Sequence, residues 1–106
     1  MSDRELLEKA AKAAGYWDSD FDCYKGPISW DPIEKDEDAL RLAVQLRLGL
    51  VHGWESFEEN PLATVWISHD GQCLAEEIKG DDPYAATRRA IVRAAAEIGK
   101  EMKNAA

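Results

Sequence analysis

The stretch Thr64-Val65-Trp66-Ile67-Ser68-His69-Asp70-Gly71 constrains this chain more than any other. Its β-branched and aromatic residues favour an extended backbone. Asp-Gly behind them suits a two-residue turn that needs positive φ at both central positions. It predicts a β-hairpin with strands over 62–69 and 72–78, preceded by a third over 50–57. Symmetric pairing across that turn sets Ile67 opposite Leu74, Val65 opposite Glu76 and Trp66 opposite Ala75. Glu76 then falls on an apolar face near the sheet edge, a local conflict of the kind that marks sites.

Helices flank the meander. The first is expected over Asp3–Ala14, with Ser2 and Glu5 spaced as a capping box and Gly15 as a left-handed stop. A second is expected over 36–48, opened by Asp36, Glu37 and Asp38, whose charges suit a helix N-terminus. Its apolar residues Leu40, Leu42, Ala43, Val44, Leu46 and Leu48 spread so widely around the axis that the helix should be largely buried. The third opens at Asp82-Pro83, an N-cap and a first-turn proline, and runs to about Lys103. Tyr84, Ile91, Ala95, Ile98 and Met102 share one stripe of it, and Arg89, Arg93, Glu97 and Lys100 lie opposite. Between the first two helices, Trp17, Phe21, Tyr24 and Trp30 should anchor an acidic segment onto the domain.

The expected fold is α+β in the order α-α-β-β-β-α, one domain over 1–106. Both faces of the three-stranded antiparallel meander carry apolar residues, so both should be covered in an α/β/α sandwich. The last two helices would take one face, and the first helix with the aromatic segment the other.

Function classes narrow mostly by exclusion. The formal net charge is −8, with −6 over residues 18–38 and −7 over 55–82. That argues against direct nucleic-acid binding, whose affinity comes largely from Lys and Arg. No apolar run suits a membrane span, and the charged start (Asp3, Arg4, Glu5) does not suit a secretion signal. Cys23 and Cys73 form no CxxC pair, as expected in a reducing cytoplasm.

Chemistry-bearing clusters are sparse. Asp18, Asp20 and Asp22 imitate the start of a calcium loop, but Cys23 stands where glycine is needed and Ser29 where a bidentate Glu is needed. His52, His69, Cys23 and Cys73 supply a zinc-like donor inventory at the wrong spacing for a finger. Neither cysteine is activated by a helix N-terminus or basic cluster. Glu58-Glu59 and Glu76-Glu77 are adjacent pairs whose side chains diverge, so neither is a dyad. Phosphate-binding glycine loops, GxSxG and HExxH are absent from the sequence. No cofactor and no catalytic residue is assigned.

Candidate interaction residues are Trp54 and Trp66, of a type that dominates binding energy, together with Asp36, Glu37, Asp38, Glu58 and Glu59 as partner-facing acid. Arg89 and Arg93 join them as part of a basic strip on the last helix, with Arg88 and Lys100 nearby.

Residues 36–100 resemble the double-stranded-RNA-binding domain in element order. That family grips phosphate through lysines at the start of its last helix. The matching positions here are Pro83, Tyr84 and Thr87, so the resemblance implies architecture without RNA binding. A second resemblance spans nearly the whole chain. Glu5-Leu6-Leu7-Glu8-Lys9-Ala10-Ala11-Lys12-Ala13-Ala14-Gly15-Tyr16, Trp30-Asp31-Pro32, Asp38-Ala39-Leu40-Arg41-Leu42-Ala43 and the run from Asp82 to Ala95 are similar to small proteins of the phage ABA-sandwich domain family. The family implies an α/β/α sandwich, a phage or prophage origin and the host cytoplasm. It comes with no assigned activity and so transfers no site residue.

These readings converge on a small acidic accessory protein of a phage or prophage. It is expected to be non-enzymatic and to bind a host or phage protein. A nucleic-acid-mimicking inhibitor of a host DNA-binding or defence protein is the first alternative, and requires the two acidic segments to share a surface. A metal-binding or enzymatic domain using the His and Cys residues is the second, and requires them to converge. Homo-oligomerisation stays open, because a short meander leaves edge strands.

Overall fold

The computed structural model describes residues 2–57, 60–78 and 80–104. Helix α1 spans Asp3–Ala14 and a short hairpin pairs β1 (Trp17–Asp18) with β2 (Cys23–Tyr24). Helix α2 (Asp36–Gln45), strands β3 (Gly49–Phe57), β4 (Asn60–His69) and β5 (Gln72–Ile78), and helix α3 (Pro83–Asn104) complete the order. The fold is α+β, with an antiparallel meander β3-β4-β5 and the small hairpin inserted between the first two helices.

Local chemistry fixes the ends of these elements. The Ser2 hydroxyl accepts from the Glu5 N–H at 3.2 Å, and Gly15 closes α1 at φ 82°. Asp82 Oδ1 accepts from the N–H groups of Tyr84 and Ala85 at 3.1 and 3.0 Å, capping α3. Asp70 and Gly71 both adopt positive φ, 51° and 83°, as their turn requires. Helix α2 stops earlier than the sequence suggests: Leu46 leaves helical geometry and Arg47 is left-handed at φ 56°.

The pairing after that turn departs from symmetric registration. A bulge between Ile67 and Ser68 leaves Leu74 as the extra residue of β5. Ile67 therefore faces Ala75, Val65 faces Glu77, and Trp66 faces Glu76. Glu76 moves to the outer face and is exposed, and Glu77 takes the inner position. Its carboxylate there accepts from Arg93 Nη1 at 2.8 Å, with the Glu76 carbonyl accepting from the same nitrogen at 3.0 Å. The expected conflict thus falls one residue later and is satisfied by α3.

Among the described residues the helices lie on one face of the sheet, whereas cover of both faces was expected. Helix α3 lies on β4 and β5 over Val65, Ile67 and Ala75, which are buried with Ile91 and Val92. Helices α1 and α2 pack against α3 instead of crossing to the other face. The aromatic segment folds back onto α1, with Tyr16, Tyr24 and Trp30 in mutual ring contact. On the outer face Val51 is exposed, Trp66 is half-buried and Glu76 is exposed. The physical reason lies in the alanines. Ala10, Ala11, Ala14, Ala90, Ala94 and Ala95 are buried, and small residues let α1 and α3 approach closely. A Cβ on Gly99 would collide with the Lys9 carbonyl oxygen of α1. Helix α1 therefore finds its partner in α3.

Candidate functional site

A largely apolar concavity lies where α2 meets the start of α3. It is a groove of about 540 Å³ lined by Ala39, Leu40, Leu50, Pro83, Tyr84 and Ile91, with Asp36, Glu37, Thr87 and Arg88 at its border. Large side chains stay open to solvent along it: Leu40 is 61% exposed and Tyr84 70%. One turn further along α2, Val44 is 70% exposed. The expectation of a largely buried α2 therefore holds for Ala39, Leu42 and Ala43 and fails for Leu40 and Val44. The apolar arc of α2 is wider than α3 can cover, so one flank of it faces water. Tyr84 likewise leaves the buried stripe of α3.

The acids and bases around this groove have definite partners. Arg88, with a side chain only 15% exposed, donates from Nε to the Ile33 carbonyl at 2.7 Å and from Nη1 to Asp36 at 2.6 Å. It clasps the entrance of α2 to α3 and is unavailable to a ligand without cost. Asp38 accepts from the Asp31 N–H at 2.8 Å and so holds the loop before α2. Glu37 is exposed and takes part in no ion pair among the described residues; the same holds for Arg41 and Arg47.

Among the described residues, the other sequence candidates do not line this groove. Arg89 bonds Asp3 of α1 at 3.0 Å and Arg93 bonds Glu77 of β5, so the basic strip is engaged inside the fold. Trp66 sits on the outer sheet face between Val51 and Glu76. Trp54 of β3 pairs with Ala63 of β4, and its side chain lies outside the described ones, as does that of His52. Glu58 and Glu59 lie outside the described residues.

Cys23 belongs to the small hairpin and Cys73 to β5, both as exposed thiols, and His69 ends β4 beside Asp70. Among the described residues no three His, Cys, Asp or Glu side chains are grouped to hold a metal. Asp18 and Asp22, from the calcium-like run, serve the hairpin: Asp18 Oδ1 accepts from the Asp20 N–H at 3.0 Å, and Asp22 Oδ1 from Trp17 Nε1 at 3.2 Å. Among the described residues no helix is long and apolar enough to cross a membrane.

A second concavity, about 710 Å³, lies between α1 and the aromatic segment and is lined by Leu7, Trp17, Tyr24, Ile28 and Trp30 among others. Tyr24 donates its hydroxyl to the Pro27 carbonyl at 2.6 Å. Partial burial raises its pKa, and the neighbouring charges of Tyr16 and Asp38 add to the effect. Lys12 already occupies the face of Trp17, 5.1 Å from the ring centre.

The sequence reading missed Leu40, Val44, Leu50 and Tyr84 as surface residues. The signal for them in the sequence is the breadth of the α2 apolar arc, which exceeds what one packing partner can cover. Comparison of the chain with protein-family models, curated proteins and solved structures finds no match in any of the three.

Proposed function

We propose that this is a non-enzymatic accessory protein that acts by binding another protein chain through the surface of α2 and the start of α3. The observation that carries the reading is the exposure of Leu40 and Tyr84 along one apolar groove, with Val44 exposed one turn further along α2. Contiguous exposed apolar surface bordered by polar groups is characteristic of protein-interaction sites. Phage or prophage origin rests on the resemblance of the sequence segments alone.

The nucleic-acid-mimic alternative has weaker support. Of the two acids that line the groove, Asp36 is paired with Arg88, and Glu37 takes part in no ion pair among the described residues. Asp18, Asp20 and Asp22 belong to the small hairpin and Asp70 to the β4–β5 turn, four separate acids on elements other than α2.

Affinity capture with tagged protein from a bacterial lysate, at low and high salt, tests the reading. A protein retained at high salt by the wild type and lost with Leu40→Asp is the expected result. Capture that is unaffected by Leu40→Asp and vanishes at high salt would instead favour an electrostatic site elsewhere.

A further inference from the structure

Three aromatic rings between α1 and α2, those of Trp17, Tyr24 and Trp30, line the concavity of about 710 Å³ beside α1. That volume lies in the range of small-molecule sites. The rings are held in place. Tyr24 and Trp30 lie nearly parallel, 21° apart with centroids 6.0 Å from each other, and Tyr16 stands perpendicular to both. The Tyr24 hydroxyl donates to the Pro27 carbonyl at 2.6 Å. The absence of a side chain at Gly26 makes room for this arrangement, because a Cβ there would meet the Tyr24 hydroxyl at 2.5 Å and the Tyr16 ring at 2.7 Å.

Aromatic faces carry partial negative charge and attract cations. The fold already uses this at Trp17, where the Lys12 ammonium stands 5.1 Å from the ring centre. The charged side chains of the wall favour the same sign of ligand. Arg4, Glu8 and Asp22 are the three in the lining, and Arg4 Nε lies 3.4 Å from the Glu8 carboxylate. Asp22 accepts from Trp17 Nε1 through Oδ1 and takes part in no ion pair among the described residues. One carboxylate is therefore left over, on the segment 18–38 that carries −6. A neutral or anionic ligand would leave it without a partner, whereas an ammonium would meet both the carboxylate and the rings.

We infer that this concavity binds a small organic cation of the alkylammonium class, its methyl groups against Tyr24 and Trp30 and its charge beside Asp22. A bare ammonium is strongly hydrated and would lose water against Leu7 and Ile28 of the same wall. A methylated nitrogen holds water weakly and buries its methyl groups there. The site shares no residue with the α2 groove, so the inference stands apart from the protein-binding reading.

Calorimetric titration of the full chain with choline tests this, against its neutral isostere in which carbon replaces the quaternary nitrogen. Saturable binding of choline is expected, about tenfold tighter than that of the isostere. Asp22→Asn keeps an oxygen to accept from Trp17 and removes the charge, and Asn tolerates the φ of 50° at this position. It should weaken choline binding about threefold or more and leave the isostere unaffected. Both cysteines are exposed, but Cys23 lines the concavity and Cys73 belongs to β5. Choline should therefore slow alkylation of Cys23 by iodoacetamide and leave Cys73 unchanged. Absence of saturable choline binding, equal affinity for the isostere, an Asp22→Asn protein that binds choline as the wild type does, or equal protection of both thiols overturns the inference.

Discussion

At residue 99 the physics of the helix and of the tertiary fold oppose each other. Glycine inside a helix costs about 1 kcal/mol relative to alanine, so Gly99→Ala ought to stabilise α3 by that measure. The added methyl would collide with the Lys9 carbonyl oxygen, which belongs to backbone and cannot swing aside. Separating α1 from α3 loosens alanines packed at near-zero exposure on both helices. Overpacking of this kind outweighs the propensity gain, and Gly99→Ala is expected to lower unfolding stability in urea by about 1–3 kcal/mol. A stabilised variant would mean that α1 can shift outward freely. Gly99 was not legible as a packing residue, because an isolated glycine within an alanine-rich helix has the same sequence appearance whether or not a neighbouring backbone approaches it.

At the scale of elements, the sequence carried the existence and order of the three helices and the meander, since caps and turn residues act locally. Ser2, Gly15, Asp70-Gly71 and Asp82-Pro83 all perform the roles their chemistry suggests. Pairing register and packing partners depend on non-local energetics and were less legible. Symmetric registration placed Glu76 inside; the bulge at Leu74 places Glu77 there, against Arg93. The two registers make opposite predictions about neighbouring residues. Glu77→Gln should cost about 0.5–1 kcal/mol, the worth of a partly exposed ion pair. Glu76→Gln, on the open face, should stay within about 0.5 kcal/mol of the wild type. Chemical denaturation of the two variants separates the registers, and the reverse ranking would restore the symmetric one. The covering of both sheet faces was likewise illegible, because apolar residues on a face such as Val51 and Trp66 indicate a preference for cover without supplying it.

For the whole molecule, large and small apolar residues are distributed unevenly. The buried set is rich in alanine, while Leu40, Val44, Val51, Ile28, Phe21 and Tyr84 remain outside. Hydrophobic stabilisation scales with buried apolar area, at about 25 cal/mol per Å², so an alanine core contributes little per residue and the exposed large side chains hold a reserve. Docking of a partner on α2 would draw on that reserve, and a partner that binds only the folded chain stabilises it by mass action. In the single chain Leu40 is 61% exposed and gains only the partial cover of the groove. Leu40→Asp is therefore expected to melt within about 3 °C of the wild type, the shift that accompanies a change of under about 1 kcal/mol. Calorimetry on both purified proteins tests this, and a fall of about 8 °C or more would place Leu40 in the core of the single chain and remove it from the partner-facing surface.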